Sequence, residues 1–177
     1  MNSLISDELV NHTKAFVNDV GTLTYGFRKG DLSAYQRKIV RDIIDGVDER
    51  LDGIRFKRIK PAGQADLIIG HGELPIGASG ASVYSKQGWE IRMPERFFST
   101  TIFKHELGHV LGLGHVPMGS DSLMQPTWGG ITDFTKKDWK ALESIWGKGE
   151  IFFSEEEPKP KGKVSSGMLV SYLRKPE

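Results

Sequence analysis

Ile39, Val40, Ile43, Ile44, Val47 and Leu51 recur at intervals of three and four residues, the spacing that lines one face of a helix. The stripe predicts a long amphipathic helix over residues 33–51, ended by Asp52-Gly53, with its charged residues on a solvated face. Leu23-Thr24-Tyr25-Gly26-Phe27 reads as a strand before it. Ile54-Arg55-Phe56-Lys57-Arg58-Ile59 alternates apolar and charged residues, as a half-buried strand does. Ala65-Asp66-Leu67-Ile68-Ile69-Gly70 reads as a more buried strand. A Gly/Ala/Ser-rich loop over residues 77–82 leads into Val83-Tyr84, and Trp89-Glu90-Ile91-Arg92-Met93 is a further strand stopped by Pro94.

Helices are predicted at three other places. Leu9, Val10, Ala15, Phe16 and Val17, with Ser6 and Asp7 as caps, predict a short N-terminal helix within residues 6–20. A second starts at Ser99 or Thr100 and ends near Gly112, with Ile102, Phe103 and Val110 turned to the sheet. Thr135 and Asp138 make a capping box for a third, which runs through Trp139, Leu142, Ile145 and Trp146 and is closed by Gly147. The strand–helix–strand–strand–strand–helix order predicts an α/β layer with helices packed on a twisted sheet.

A chain of 177 residues suits one domain with an appendage, here residues 1–148 and 149–177. Residues 155–163 are charged and proline-interrupted, which argues against regular structure. The apolar patch Met168-Leu169-Val170-Ser171-Tyr172-Leu173 then either folds back on its own domain or docks on a partner or assembly. A net charge of +1 gives no electrostatic case for nucleic acid or an anionic membrane. No apolar run is long enough to span a bilayer. The chain has no cysteine, which excludes disulfides, thiolate metal sites and latency by a cysteine on a metal. Its first residues lack the basic and then apolar regions of a secretory signal, so a cytoplasmic or virion-associated location is expected, with leaderless secretion as the other route.

Candidate chemistry concentrates in Lys104-His105-Glu106-Leu107-Gly108-His109-Val110-Leu111-Gly112-Leu113-Gly114-His115. Residues four apart on a helix share a face, so His105 and His109 can reach one ion. Gly112 can bend the chain and bring His115 round as a third ligand. Three neutral imidazoles with an open fourth position are a catalytic zinc arrangement, since a closed four-ligand site could not hold a reactive water. Zinc lowers the pKa of its water to about 7. Glu106 is then placed to take the proton as that water attacks a carbonyl, and to deliver it to the departing amine.

With this motif the chain resembles the metzincin zinc metallopeptidases, in which a turn carrying a methionine lies beneath the metal. Met124, in Asp121-Ser122-Leu123-Met124-Gln125-Pro126-Thr127, falls where that turn belongs, and its Met-x-Pro form is most similar to the matrixin branch. Leu23-Thr24-Tyr25 and Ala65-Asp66-Leu67-Ile68-Ile69 resemble that branch's first and third strands, and residues 135–147 its C-terminal helix. The resemblance covers about residues 21–147. It implies a zincin-like α/β fold: a twisted, mostly parallel sheet with an antiparallel edge strand, a long active-site helix, the methionine turn and a C-terminal helix. It also implies a zinc-dependent endopeptidase whose protein or peptide substrate lies extended along an edge strand near Gly77, Ala78, Ser79, Gly80 and Ala81. Pro126, Thr127 and Trp128 would wall the pocket beside the zinc, although Trp128 equally suits core packing.

The departures from the family pattern are specific. Matrixins carry a second, structural zinc, of which His71-Gly72-Glu73 matches one corner, but the only other histidine is His12. His71 is therefore read as a loop-end residue. The acidic cluster for calcium is absent, so one catalytic Zn2+ is expected and calcium is not supported. Pro126 stands where some relatives have a tyrosine ligand, and Met124 is expected to floor the site, a thioether being a poor zinc ligand. Asp7 or Asp19 is a candidate latency plug on the zinc, against which stands the lack of any marked cleavage site. The alternative to a peptidase is a metzincin-fold component of a virion or tail structure, with a structural zinc or incidental activity. Retention of Glu106 speaks for catalysis, because a structural zinc needs no general base.

Overall fold

The apolar stripe of residues 33–51 forms a helix because both its ends and its face are specified locally. Ser33 accepts the Gln36 N–H at 3.2 Å while the Gln36 side chain accepts the Ser33 N–H at 2.8 Å, a reciprocal cap for two N–H groups that have no partner within the helix. In the computed structural model, which describes residues 4–95, 97–127 and 129–149, the elements in chain order are as follows. Helix α1 is Asp7–Lys14, strand β1 Thr22–Phe27, helix α2 Ala34–Arg50 and strand β2 Arg55–Arg58. A short 3-10 turn, Ala62–Gln64, precedes β3 (Leu67–His71), β4 (Ala81–Ser85) and β5 (Gly88–Met93). Helices α3 (Thr100–Val110) and α4 (Lys136–Trp146) complete it.

The five strands form one sheet in the order β2-β1-β3-β5-β4. All neighbours are parallel except β4, which pairs antiparallel with β5 through Ser82↔Ile91 and Tyr84↔Trp89 and lies at the edge. Leu23, Tyr25, Leu67, Ile69, Ile91 and Met93 of the inner strands are buried together with Val40 and Ile44 of α2, Phe103 and Leu107 of α3, and Leu142 and Trp146 of α4. Parallel strands covered by helices read as nearly continuous apolar runs, which is how β3 reads. The zincin-like α/β architecture is therefore the observed one.

Two expectations need correction. Helix α1 stops at Lys14 and does not continue toward Val20, because the Asn18 side chain accepts the N–H groups of Val20 and Thr22 and turns the chain into β1. Val83-Tyr84 is the middle of a strand, not merely the exit of a loop. Helix α3 ends at Val110 with Leu111 as its C-cap, near Gly112 as expected, and the φ of 100° at Gly112 breaks the helical path. Ile102 packs against the core as expected, half-buried, and also lines a cleft. The charged segment over 155–163 and the patch Met168 to Leu173 lie outside the described residues. No helix among those described is long and apolar enough to cross a membrane.

Candidate active site

Helix α3 is started by Ser99, whose hydroxyl accepts the Ile102 N–H at 3.3 Å. One turn separates His105 from His109 on the face turned to the cleft. At Gly112 a Cβ would lie 2.4 Å from Cγ2 of Val10, and the positive φ is one that side-chain-bearing residues avoid. The glycine bend returns the chain so that His115 faces the helix. Its Nε2 lies 3.1 Å from Nε2 of His105 and 3.2 Å from Nε2 of His109.

The second ring nitrogens of His105 and His109 explain how two of these three atoms are aimed. Nδ1 of His105 lies 2.9 Å from the Leu123 carbonyl, and Nδ1 of His109 lies 2.7 Å from the Leu113 carbonyl. A carbonyl can only accept, so each Nδ1 carries the proton and each Nε2 presents its lone pair to the centre. Four-coordinate zinc with Zn–N bonds of about 2.0–2.1 Å requires its nitrogens to sit about 3.3 Å apart, close to the distances observed. Lone pairs gathered this closely repel one another unless a cation lies among them, so the donor set fits a metal ion. Burial holds His109 down to about 4, with the neighbouring His105 pushing the same way. Burial also lowers His105 and His115. Each of these shifts favours the neutral ring, the form a metal ligand takes. Among the described residues no other group of His, Asp or Glu side chains gathers in this way.

Glu106 points to the same cleft and is 7% exposed. Burial raises its pKa, while the hydroxyl and backbone N–H of Ser82 bond the carboxylate and oppose the rise. Ser82 was not singled out from the sequence; only its place on β4, over α3, reveals it. Gly80 is the neighbouring point of close approach, since a Cβ there would lie 2.4 Å from Ile102 Cγ2 and 3.2 Å from Glu106 Oε1.

The cleft has a volume of about 770 Å3. Gly77, Ala78, Ser79, Gly80 and Ala81 line one side of it, and Pro126 and Thr127 also line it. Trp128 lies outside the described residues. Met124 is fully buried, and a Cβ on Gly108 would come 2.6 Å from its sulfur, so the thioether packs beneath the helix that carries His105 and His109. The turn around Met124 is fastened by Asp138, a fully buried carboxylate. It accepts from the Ser122 hydroxyl at 2.5 Å, the Leu123 N–H at 2.9 Å and the Thr135 N–H at 2.9 Å. The sequence shows Asp138 as a helix cap only. Its second role depends on Ser122 and Leu123, which local spacing does not connect to it. His71 donates its N–H to Asp31 at 2.8 Å and stands at the end of β3, as a loop-end residue does. Neither Asp7 nor Asp19 lines the cleft.

The family model for matrixin matches residues 18–147. No curated protein matches the chain. The matched span contains the whole sheet, α3 with its three histidines, the turn around Met124 and α4, and the chain belongs to the matrixin family of zinc metallopeptidases.

Proposed function

We propose that this protein is an endopeptidase that uses one zinc ion to cleave a protein or peptide segment bound extended along β4. The observation that carries the reading is the meeting of three imidazole Nε2 atoms with the Glu106 carboxyl in one cleft. His105, His109 and His115 would hold the ion. When bound, zinc supplies an acidified water and polarises the scissile carbonyl. Glu106, poised by Ser82, accepts the proton of the attacking water and passes it to the leaving amine. Burial makes this carboxylate a stronger base than one in water, which suits it to that transfer.

Strand β4 has a sheet neighbour on one side only, so its other edge offers main-chain groups for strand addition. The small side chains of Gly77, Ala78, Ser79, Gly80 and Ala81 let a substrate backbone approach closely. Pro126, Thr127, Leu123 and Ile131 also line the cleft, and their apolar surface favours an apolar substrate side chain. The test is elemental analysis followed by cleavage of a peptide library with and without a chelator. The expected result is one zinc per chain and cleavage that is lost on chelation and regained with zinc. Stoichiometric zinc with no cleavage of any peptide or denatured protein would leave the assembly-component reading in its place.

A further inference from the structure

We propose that residues 4–13 act as a positioning brace for the metal-binding turn, with the Thr13 hydroxyl as its central joint. The inference rests on the metal-centre reading above. The matrixin match begins at residue 18, so α1 and the residues before it lie ahead of the matched span. They nevertheless contact the part of the chain that carries two of the three ligands.

Leu4-Ile5-Ser6 runs antiparallel to Gly112-Leu113-Gly114. The Ser6 N–H donates to the Gly112 carbonyl at 2.9 Å, the Gly114 N–H donates to the Leu4 carbonyl at 2.8 Å, and Ile5 and Leu113 form the bridge pair between them. Gly112, Leu113 and Gly114 lead directly into His115. The Leu113 carbonyl is also the acceptor that orients the His109 ring, at 2.7 Å from its Nδ1. A segment that fixes Leu113 therefore fixes the aim of one ligand and the position of another. Val10 closes over the same bend, its Cγ2 only 2.4 Å from where a Gly112 Cβ would stand.

Thr13 joins this segment to the rest of the site. It is fully buried. Its hydroxyl donates toward the Val110 carbonyl at 2.5 Å, with the Leu9 carbonyl at 3.1 Å, and accepts from Nε1–H of Trp89 at 3.0 Å. Val110 is the last residue of α3, where carbonyls have no partner within the helix. Trp89 belongs to β5, the neighbour of β4. One hydroxyl thus ties α1 to the end of the ligand-bearing helix and to the sheet beside the cleft. Valine here would leave the buried Trp89 Nε1–H and the Val110 carbonyl without this partner.

The experiment compares full-length Thr13→Val, Thr13→Ser, Val10→Ala and Val40→Ala with the wild type. Zinc affinity is read by competition with a chromogenic chelator, site geometry by the visible spectrum of bound Co2+, and stability by melting of the metal-free protein. Val40, buried in α2, reports what a general loss of stability does to affinity. Thr13→Val is expected to weaken zinc roughly tenfold or more, as loss of an orienting partner does, and to alter the Co2+ bands. Thr13→Ser, which keeps the hydroxyl, restores both, and Val40→Ala lowers melting without changing affinity. If Thr13→Val does not fold, Val10→Ala carries the comparison, with weakened zinc expected. Wild-type affinity in folded Thr13→Val and Val10→Ala, or an equal loss in Val40→Ala, overturns the proposal and leaves the metallopeptidase reading standing. A wild type that binds neither Zn2+ nor Co2+ overturns that reading, and the brace with it.

Discussion

Each histidine of the centre is prepared by one hydrogen bond or one neighbour, and the consequences are measurable residue by residue. His109 is held down to about 4 by burial and by His105, whereas an unfolded chain would protonate it near 6.5. Between those values the unfolded state binds the extra proton, so the metal-free protein loses stability as pH falls from about 6.5 to about 4. His105 and His115 act in the same sense. Glu106, raised by burial, acts in the opposite one, because its folded form holds the proton more tightly and that contribution fades as pH rises. Urea titrations of metal-free protein should therefore show a slope over this range that His109→Gln flattens; an unchanged slope would deny the neutral, buried ring. Gly80→Ala is expected to reduce cleavage while leaving zinc bound, because its Cβ would press on Ile102 and Glu106 and not on the ligands. Peptide cleavage and zinc content of that variant decide it.

Among the elements, those whose limits are set by neighbours in sequence were legible, and those set by distant partners were not. Ser33 with Gln36 and Thr135 with Asp138 mark the starts of α2 and α4 within one turn, and both helices begin where the caps indicate. The pair His105 and His109 was legible for the same reason. Strand β4 was harder to see because Ala81-Ser82-Val83-Tyr84-Ser85 is short and half-exposed, and only its pairing with β5 makes it a strand. Asp138 hid its second role behind its first. Its carboxylate holds the Leu123 N–H while the Leu123 carbonyl holds His105, so α4, the methionine turn and α3 form one connected unit. Asp138→Asn turns an NH2 group toward these donors and is expected to cost about 2–4 kcal/mol, as a broken buried, charged hydrogen-bond set does. Denaturant melts check the cost. A drop in zinc affinity beyond that of an equally destabilised control would show the effect reaching His105 through Leu123.

For the whole molecule, the ligands join α3 to the turn that follows it, while Met124 and α4 support both from below. The eleven residues from His105 to His115 made the chemistry readable, and the sheet, the cleft and Ser82 supplied what spacing could not. Zinc that binds only the folded chain should add about 4 kcal/mol of stability at a thousandfold excess over its dissociation constant. For a domain of this size that is a rise in Tm of roughly 10 °C. Calcium is expected to give no such rise, and calorimetry with each ion separates the two. The central claim is hydrolysis driven by Glu106 at a zinc held by three histidines. Its most direct test is to measure, in one preparation each of wild type and Glu106→Ala, both zinc content and the rate of peptide cleavage. The account predicts equal zinc in the two proteins and a rate lower by about 10²–10⁴-fold in the variant. Equal zinc with an undiminished rate would contradict it.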